Sequence, residues 1–327
     1  MQKGRKIYKS DRFKSNRSKT NAAEASRFKS SRSKTNAVEA SRSGSSRTKS
    51  RRIGSERPKS SRTKSNCTAK PENSQNFITD RKLISRIVHL SNIDQKDTVL
   101  EIGTGKGHLT KELCRRGGFV YSVEIDRKLY ESAKEKLSNL SNLNLVCGDF
   151  LGYSLPAKGD YKVFANIPYS ITTQIVEKLT HVSNLPTEIW LVMEKGAAKR
   201  FMGLPKETEK SLVLKVNWAT EIVYHFRRED FHPMPSVDSV LLHFSRKTVP
   251  DLNKNECYAF GRFVEHCMKY GICGKNGLLT KRQVSAALKR AGLPSLPENG
   301  ATLYIQWLCL FRWYRDDNIR QNVYCDA

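Results

Sequence analysis

Residues 73–248 predict an α/β fold, a doubly wound and largely parallel sheet. A small helical domain follows at 249–327, and a basic low-complexity tail precedes it at 1–72. Three observations carry this reading. Short apolar runs alternate with amphipathic stretches; a glycine turn separates the first such run from a helix; and aromatic and leucine bulk takes over beyond residue 250.

The tail is repetitive. RFKSNRSKTNAAEAS at 12–26 recurs as RFKSSRSKTNAVEAS at 27–41, and decayed copies follow at 42–56 and 57–71, with Arg42, Ser45, Arg47 and Lys49 matched by Arg57, Ser60, Arg62 and Lys64. A 15-residue period so poor in apolar residues cannot build a solenoid core, so disorder in isolation is expected. Residues 1–74 hold 22 Lys or Arg against 5 Asp or Glu, within a chain whose net charge is +26. Such an excess favours a polyanionic partner. An electrostatic arm for RNA and a duplicated, solvated segment without a selected role both fit these residues. A targeting presequence fits less well, because acidic residues interrupt the first three units.

The periodic part begins near Asn73. Leu83, Ile84, Ile87, Val88 and Leu90 share one helical face. A buried strand is expected over 98–102, then the glycine turn and a helix to about 116. Further strands are expected over 119–123, 143–147, 161–165, 188–193, 221–226 and 240–244, and a helix runs from the second strand to about 137. In such sheets ligands bind outside the carboxyl ends of the strands. Trp307, Leu308, Leu310, Phe311 and Trp313 supply the apolar bulk of the helical domain.

The glycine turn reads Glu101-Ile102-Gly103-Thr104-Gly105-Lys106-Gly107. Gly103 and Gly105 let backbone approach a ligand without a side chain in the way. A dinucleotide fingerprint would need glycine where His108 stands, so a nucleoside with a non-phosphate tail fits better than a pyrophosphate. Glu124 ends the second strand, placed to accept from two ribose hydroxyls. Asp149, after the third, is placed to accept from an adenine amine. Both carboxylates would also serve as caps for the helices behind them, but three polar strand ends together favour ligand binding. Glycine turn, Glu and Asp in that order suit S-adenosylmethionine.

Asn166-Ile167-Pro168-Tyr169 follows the fourth strand. An adenine N6 amine is a poor nucleophile because its lone pair is delocalised. The Asn166 side-chain carbonyl and the Ile167 backbone carbonyl can accept from its NH₂ group, Pro168 stiffens the turn, and Tyr169 offers a stacking face. No general base is required, so catalysis rests on orientation and preorganised dipoles. A lone Asn-x-Pro-Tyr is also an ordinary turn before a core tyrosine; its place one element after Asp149 argues for the site.

Other classes are excluded or disfavoured. No apolar run approaches the length of a membrane span, and no hydrophobic stretch follows the basic N-terminus as in a secretory signal. The eight cysteines form no C-x-x-C pair, so neither a zinc site nor a disulfide framework is expected, and the chain reads as cytosolic with reduced thiols.

Four stretches, Ser74-Gln75-Asn76-Phe77-Ile78-Thr79, EIGTGKGHLT at 101–110, Asn166–Tyr169 and Phe231-His232-Pro233-Met234-Pro235-Ser236-Val237, make the chain resemble the erythromycin-resistance (Erm) 23S rRNA adenine N6-methyltransferases. The resemblance implies a seven-stranded Rossmann-like class I methyltransferase domain over 73–248 and a helical RNA-binding domain over 249–327. It implies S-adenosyl-L-methionine contacts at Asn76, Ile78, Gly103, Gly105, Glu124, Asp149 and Asn166, and no metal. Asn166, Ile167, Pro168 and Tyr169 would hold the target adenine, with Phe231 stacking on its other face. From its residues alone, Phe231 reads equally well as a core anchor. The implied partner is 23S rRNA, met by a monomer in the bacterial cytoplasm, and the implied outcome is resistance to macrolide, lincosamide and streptogramin B drugs. Met234 departs from the family, where a lysine is frequent, and so does the long tail. The 278–283 segment and its basic helix fit RNA contacts or a solvated face.

Three alternatives compete. A small-subunit rRNA adenine dimethyltransferase shares the fold and chemistry but matches the glycine turn and short C-terminal domain less well. Adenine-N6 DNA methyltransferases usually carry an acid at position 166 and a proline at 167. An idle RNA-binding factor would have no need of Gly103, Glu124, Asn166 and Tyr169.

Deleting residues 1–70 is expected to leave activity on protein-free RNA largely intact while flattening its salt dependence. An unchanged salt slope would leave the tail without an RNA role.

Overall fold

The computed structural model describes residues 76–298 and 301–325, with side chains described as far as Asp316. The repeat tail expected to be disordered lies outside the described residues.

Seven strands form one sheet in the order β4 (Leu143–Cys147), β3 (Phe119–Glu124), β2 (Thr98–Ile102), β5 (Lys162–Asn166), β6 (Glu188–Glu194), β9 (Ser239–Arg246), β7 (Trp218–His225). The first five are mutually parallel, and α2 (His108–Arg116), α3 (Arg127–Lys136) and α4 (Thr172–Thr180) carry the β2–β3, β3–β4 and β5–β6 crossovers. The order reverses at β2, which has β3 on one side and β5 on the other. A crevice therefore opens at the carboxyl ends of β2 and β5.

The largely parallel sheet expected from sequence is found, and the departure from parallel order lies at one strand. β9 runs antiparallel to both β6 and β7. After β7 the chain has only residues 226–238 before β9, and no α-helix lies there to carry a parallel crossover. The chain therefore turns back and inserts β9 between its neighbours. β7 also begins earlier than expected, because α6 (Glu209–Asn217) passes into it directly with Trp218 as its C-cap.

Each central strand is buried on both faces, and alternation sorts its side chains between two cores. Val163 and Ala165 of β5 pack with Ile189, Leu191 and Met193 of β6, and with Ile175, Val176 and Leu179 of α4. Phe164, Trp190 and Val192 face the other way, toward Leu83, Ile84, Ile87 and Val88 of α1 (Arg81–Leu90). Leu90 sits on the flank of that stripe and is exposed. Asp80 starts α1 by accepting from the Lys82 amide at 2.8 Å.

A two-stranded ribbon lies apart from the main sheet. β1 (Phe77–Ile78) pairs antiparallel with β8 (Phe231–His232), Ile78 opposite Phe231. It ties the start of the described chain to the segment before β9.

α5 (Lys195–Phe201) and α6 follow β6. The C-terminal helices are α7 (Lys254–Tyr270), α8 (Lys281–Arg290) and α9 (Tyr304–Cys325). Phe260, Phe263, Val264, Leu288, Trp307, Leu308, Leu310 and Phe311 form their core, which also takes in Leu212 and Val216 of α6. Packing thus runs across the 248/249 boundary. Among the described residues no helix is long and apolar enough to cross a membrane, and no cluster of His, Cys, Asp or Glu could hold a metal ion. The six described cysteines are free.

Candidate active site

Four consecutive neighbours in the sheet deliver the site. β2 ends in the glycine turn, β3 in Glu124, β4 just before Gly148 and Asp149, and β5 in Asn166. One cavity is lined by Asn76, Ile78, Gly103, Gly105, Glu124, Asp149, Asn166, Ile167, Pro168 and Tyr169. Of the site residues expected from sequence, the structure leaves only Phe231 outside it.

Gly103, Gly105 and Gly107 all take positive φ, at 80°, 55° and 80°. At Gly105 the need for glycine is double, since an added Cβ would also lie 2.8 Å from Cε1 of the Phe77 ring. The ribbon strand β1 therefore closes against the glycine turn, and Lys106 rests its ammonium 5.1 Å from the Phe77 ring centre.

Glu124 is buried. Its Oε2 accepts from the Gly105 amide at 2.8 Å and its Oε1 from the Asp126 amide at 2.9 Å. Capping of α3 falls to Asp126, which accepts from the Lys128 and Leu129 amides. Glu124 thus organises the turn, and each of its oxygens retains a lone pair for a further donor. Asp149 does cap: its Oδ1 accepts from the Leu151 amide at 2.8 Å, starting a 3-10 turn over Phe150–Gly152. Its second carboxylate oxygen remains for another donor.

Asn166 is fixed by one contact. Its Nδ2 donates to the Asn76 carbonyl at 2.7 Å. A carbonyl only accepts, so the amide must turn its nitrogen to Asn76, and Oδ1 is left as an acceptor. Ile167 is buried beneath it, which fixes the backbone of the turn. The Tyr169 hydroxyl lies 2.5 Å from Ser239 Oγ at the start of β9. Burial raises the phenol's pKa despite the Ser239 hydrogen bond, so Tyr169 stays neutral.

Phe231 is placed differently from a base-stacking face. Its ring is fully buried and packs on Phe226 with centroids 5.2 Å apart. It belongs to the core beside Ile78 and Ile84. The core-anchor reading describes its position, and it acts on the cavity through β1, its partner strand.

Sequence reasoning missed several lining residues. Ile125 is 63% exposed while lining the cavity. A large apolar side chain directly after a strand-end carboxylate was the available signal. Phe77, Thr104, His108 and Phe150 also line it. Burial, then the charges of Arg81, Lys106 and Lys136, lower the pKa of His108, keeping its ring neutral at the start of α2.

Beneath the turn lies a buried acid. Glu101 accepts from Ser122 Oγ at 2.6 Å, and Ser122 Oγ lies 2.6 Å from Thr104 Oγ1 in the turn itself. Burial pushes the Glu101 carboxyl up to about 8, against the opposing Ser122 hydrogen bond.

With this geometry in place, the chain can be set beside known proteins. The family model for ribosomal RNA adenine dimethylase matches residues 66–286. The chain belongs to the ribosomal RNA adenine dimethylase family. An rRNA adenine N-6-methyltransferase of Lysinibacillus sphaericus is 37% identical over 246 residues, covering 75% of this chain and 96% of that protein. One from Escherichia coli is 34% identical over 244 residues, covering 74% and 94%. Among solved structures of the family, the 23S rRNA methyltransferase ErmE matches with a TM-score of 0.65 at 30% identity, covering 73% of this chain and all of that one. A dimethyladenosine transferase from Plasmodium falciparum matches with 0.59 at 20% identity, which shows the shared fold.

Two outcomes follow from the geometry. Phe231→Ala should cost about 3–5 kcal/mol of folding stability, read as a drop in the urea midpoint, and Phe231→Leu much less. Equal stability of both variants and wild type would remove its anchoring role. For Glu101, the folded state keeps a proton that the unfolded chain releases, so stability falls as pH rises from about 4.5 to about 8. Glu101→Gln should lack that decline, so melting curves of wild type and variant should diverge progressively across this range.

Proposed function

We propose that this chain methylates the N6 amine of one adenine in 23S rRNA, with S-adenosylmethionine as the methyl donor. The observation that carries the proposal is the Asn166 amide, pinned through Nδ2 so that Oδ1 is left as an acceptor in the cavity that Tyr169 also lines. An amine donor fits that position, and a carbonyl does not.

The cavity suits the donor. Glu124 would take the ribose hydroxyls with its remaining lone pairs, Asp149 the adenine amine with its second oxygen, and Ile125 one face of the adenine ring. The three glycines let the turn's backbone approach the aminoacyl end. When bound, S-adenosylmethionine supplies an electrophilic methyl group on a sulfonium sulfur.

The chain's own residues then do three things. Tyr169, held by Ser239, gives the target base a stacking face. Asn166 Oδ1 and the Ile167 carbonyl accept from the NH₂ group, drawing the nitrogen toward tetrahedral geometry and stabilising the positive charge that develops on it. Buried Ile167 and the Asn76 contact hold both acceptors in place before the substrate arrives, so little reorganisation remains.

The relatives' names support rRNA as the substrate, and the likeness to the 23S rRNA methyltransferase ErmE supports its large-subunit species. One or two methyl groups on that adenine would add bulk and remove donors where macrolide, lincosamide and streptogramin B drugs bind. An rRNA substrate supports a bacterial-cytoplasmic location, and a cavity lined by one chain fits a monomer. The C-terminal helices are proposed as an RNA-engaging module, with Lys281, Arg282, Lys289 and Arg290 on α8 supplying positive charge.

Labelled S-adenosylmethionine, protein-free large- or small-subunit rRNA and primer extension test this together. Methylation of large-subunit RNA is expected; methylation of small-subunit RNA alone would overturn the substrate assignment. Tyr169→Ala should lose roughly a hundredfold in rate while cofactor affinity survives. Loss of cofactor binding in that variant would show the role to be misassigned.

A further inference from the structure

The segment that brings Asp149 to the cavity has an unusual back. Residues 150–153 turn the carbonyls of Phe150, Leu151 and Tyr153 toward a single point, and the Lys178 ammonium occupies it. Nζ donates to the three at 2.8, 2.8 and 2.6 Å. It also lies 5.1 Å from the centre of the Phe150 ring. Three carbonyl dipoles aimed together repel one another without a cation, and an ammonium offers three donors for three acceptors.

The front of the same segment lines the cavity with Asp149 and Phe150. Asp149 is held by the Leu151 amide, whose own carbonyl is one of the three. Lys178 stands on α4, the helix that begins after Tyr169, and carries the only positive charge in hydrogen-bond contact with these carbonyls among the described residues. Burial lowers its pKa, an effect that the nearby Asp149 charge opposes.

We infer that Lys178 is a positioning residue for the donor's adenine subsite: it sets the 148–153 segment, and with it Asp149 and Phe150, in the conformation that receives the base. The inference rests on Asp149 being the base-facing carboxylate, as proposed above. Lys178 touches neither substrate. It acts from behind, and its attachment to α4 joins the donor's subsite to the helix that follows the target-base clamp.

Adenosine, which reaches only the base and ribose subsites, separates this role from general support of the fold. Using the full chain, calorimetric titration of Lys178→Met should show adenosine and S-adenosylmethionine weakened by the same factor, roughly tenfold. RNA affinity by gel shift should stay within about twofold. In Lys178→Ala, millimolar n-propylammonium should restore part of the adenosine affinity, and sodium chloride at equal ionic strength should not. Should Lys178→Met fold poorly, Lys178→Arg keeps the charge without the three-donor ammonium, and a matched loss for both ligands is again expected. Unchanged adenosine affinity in a folded Lys178 variant, with Asp149→Ala weakened, overturns the inference alone. Unchanged adenosine affinity in Asp149→Ala overturns the Asp149 assignment, and the inference falls with it.

Discussion

The contact between Asn166 Nδ2 and the Asn76 carbonyl, 2.7 Å long, joins the two halves of the site. Asn166 ends β5, at the centre of the sheet, and Asn76 precedes β1, whose partner β8 lies more than 150 residues later. One hydrogen bond therefore fixes the acceptor offered to the target amine and holds the strand that closes against the glycine turn. Phe231 secures that strand from the core, and the Phe77 ring fills the space that any side chain at position 105 would need. Donor cavity and base clamp are organised by the same strap.

Around that contact, polar groups are arranged so that each is satisfied in part and left free in part. Glu124 accepts one backbone amide on each oxygen, Asp149 caps a turn with one oxygen, and Asn166 spends its donor and keeps its acceptor. Such groups are already oriented before any ligand arrives, which is what electrostatic preorganisation requires. The hidden layer follows the same logic: Glu101 through Ser122 steadies Thr104 in the turn, and Lys178 gathers the carbonyls behind Asp149.

Much of this was legible in the chain. Central strands of a parallel sheet are continuous apolar runs, so β2, β3 and β5 and the polar residues at their ends could be placed from composition and spacing alone. Glycines spaced through a turn after a strand mark backbone that other residues adopt only with strain, and all three do take positive φ. Gly103, Glu124, Asp149 and Asn166 fall at adjacent strand ends because chain order and sheet order are linked by helical crossovers. The antiparallel insertion of β9 was less visible, since a strand's direction is set by its connection and not by its own residues. The β1–β8 ribbon was hidden for a simpler reason: a two-residue strand has no period to read.

The sequence by itself determined the chemistry, because residue types at strand ends limit what a ligand can be: glycines for close approach, carboxylates for hydroxyls and an amine, an amide and a tyrosine for a planar base. Tertiary structure decided which way those groups point and what holds them. It turned the Asn166 amide by setting a carbonyl against its nitrogen, gave the capping of α3 to Asp126 and so freed Glu124, and drew Phe231 from the expected stacking face into the core. It also brought Lys178 to the three carbonyls. Orientation of this kind depends on partners far away in the chain, and local spacing carries no record of them.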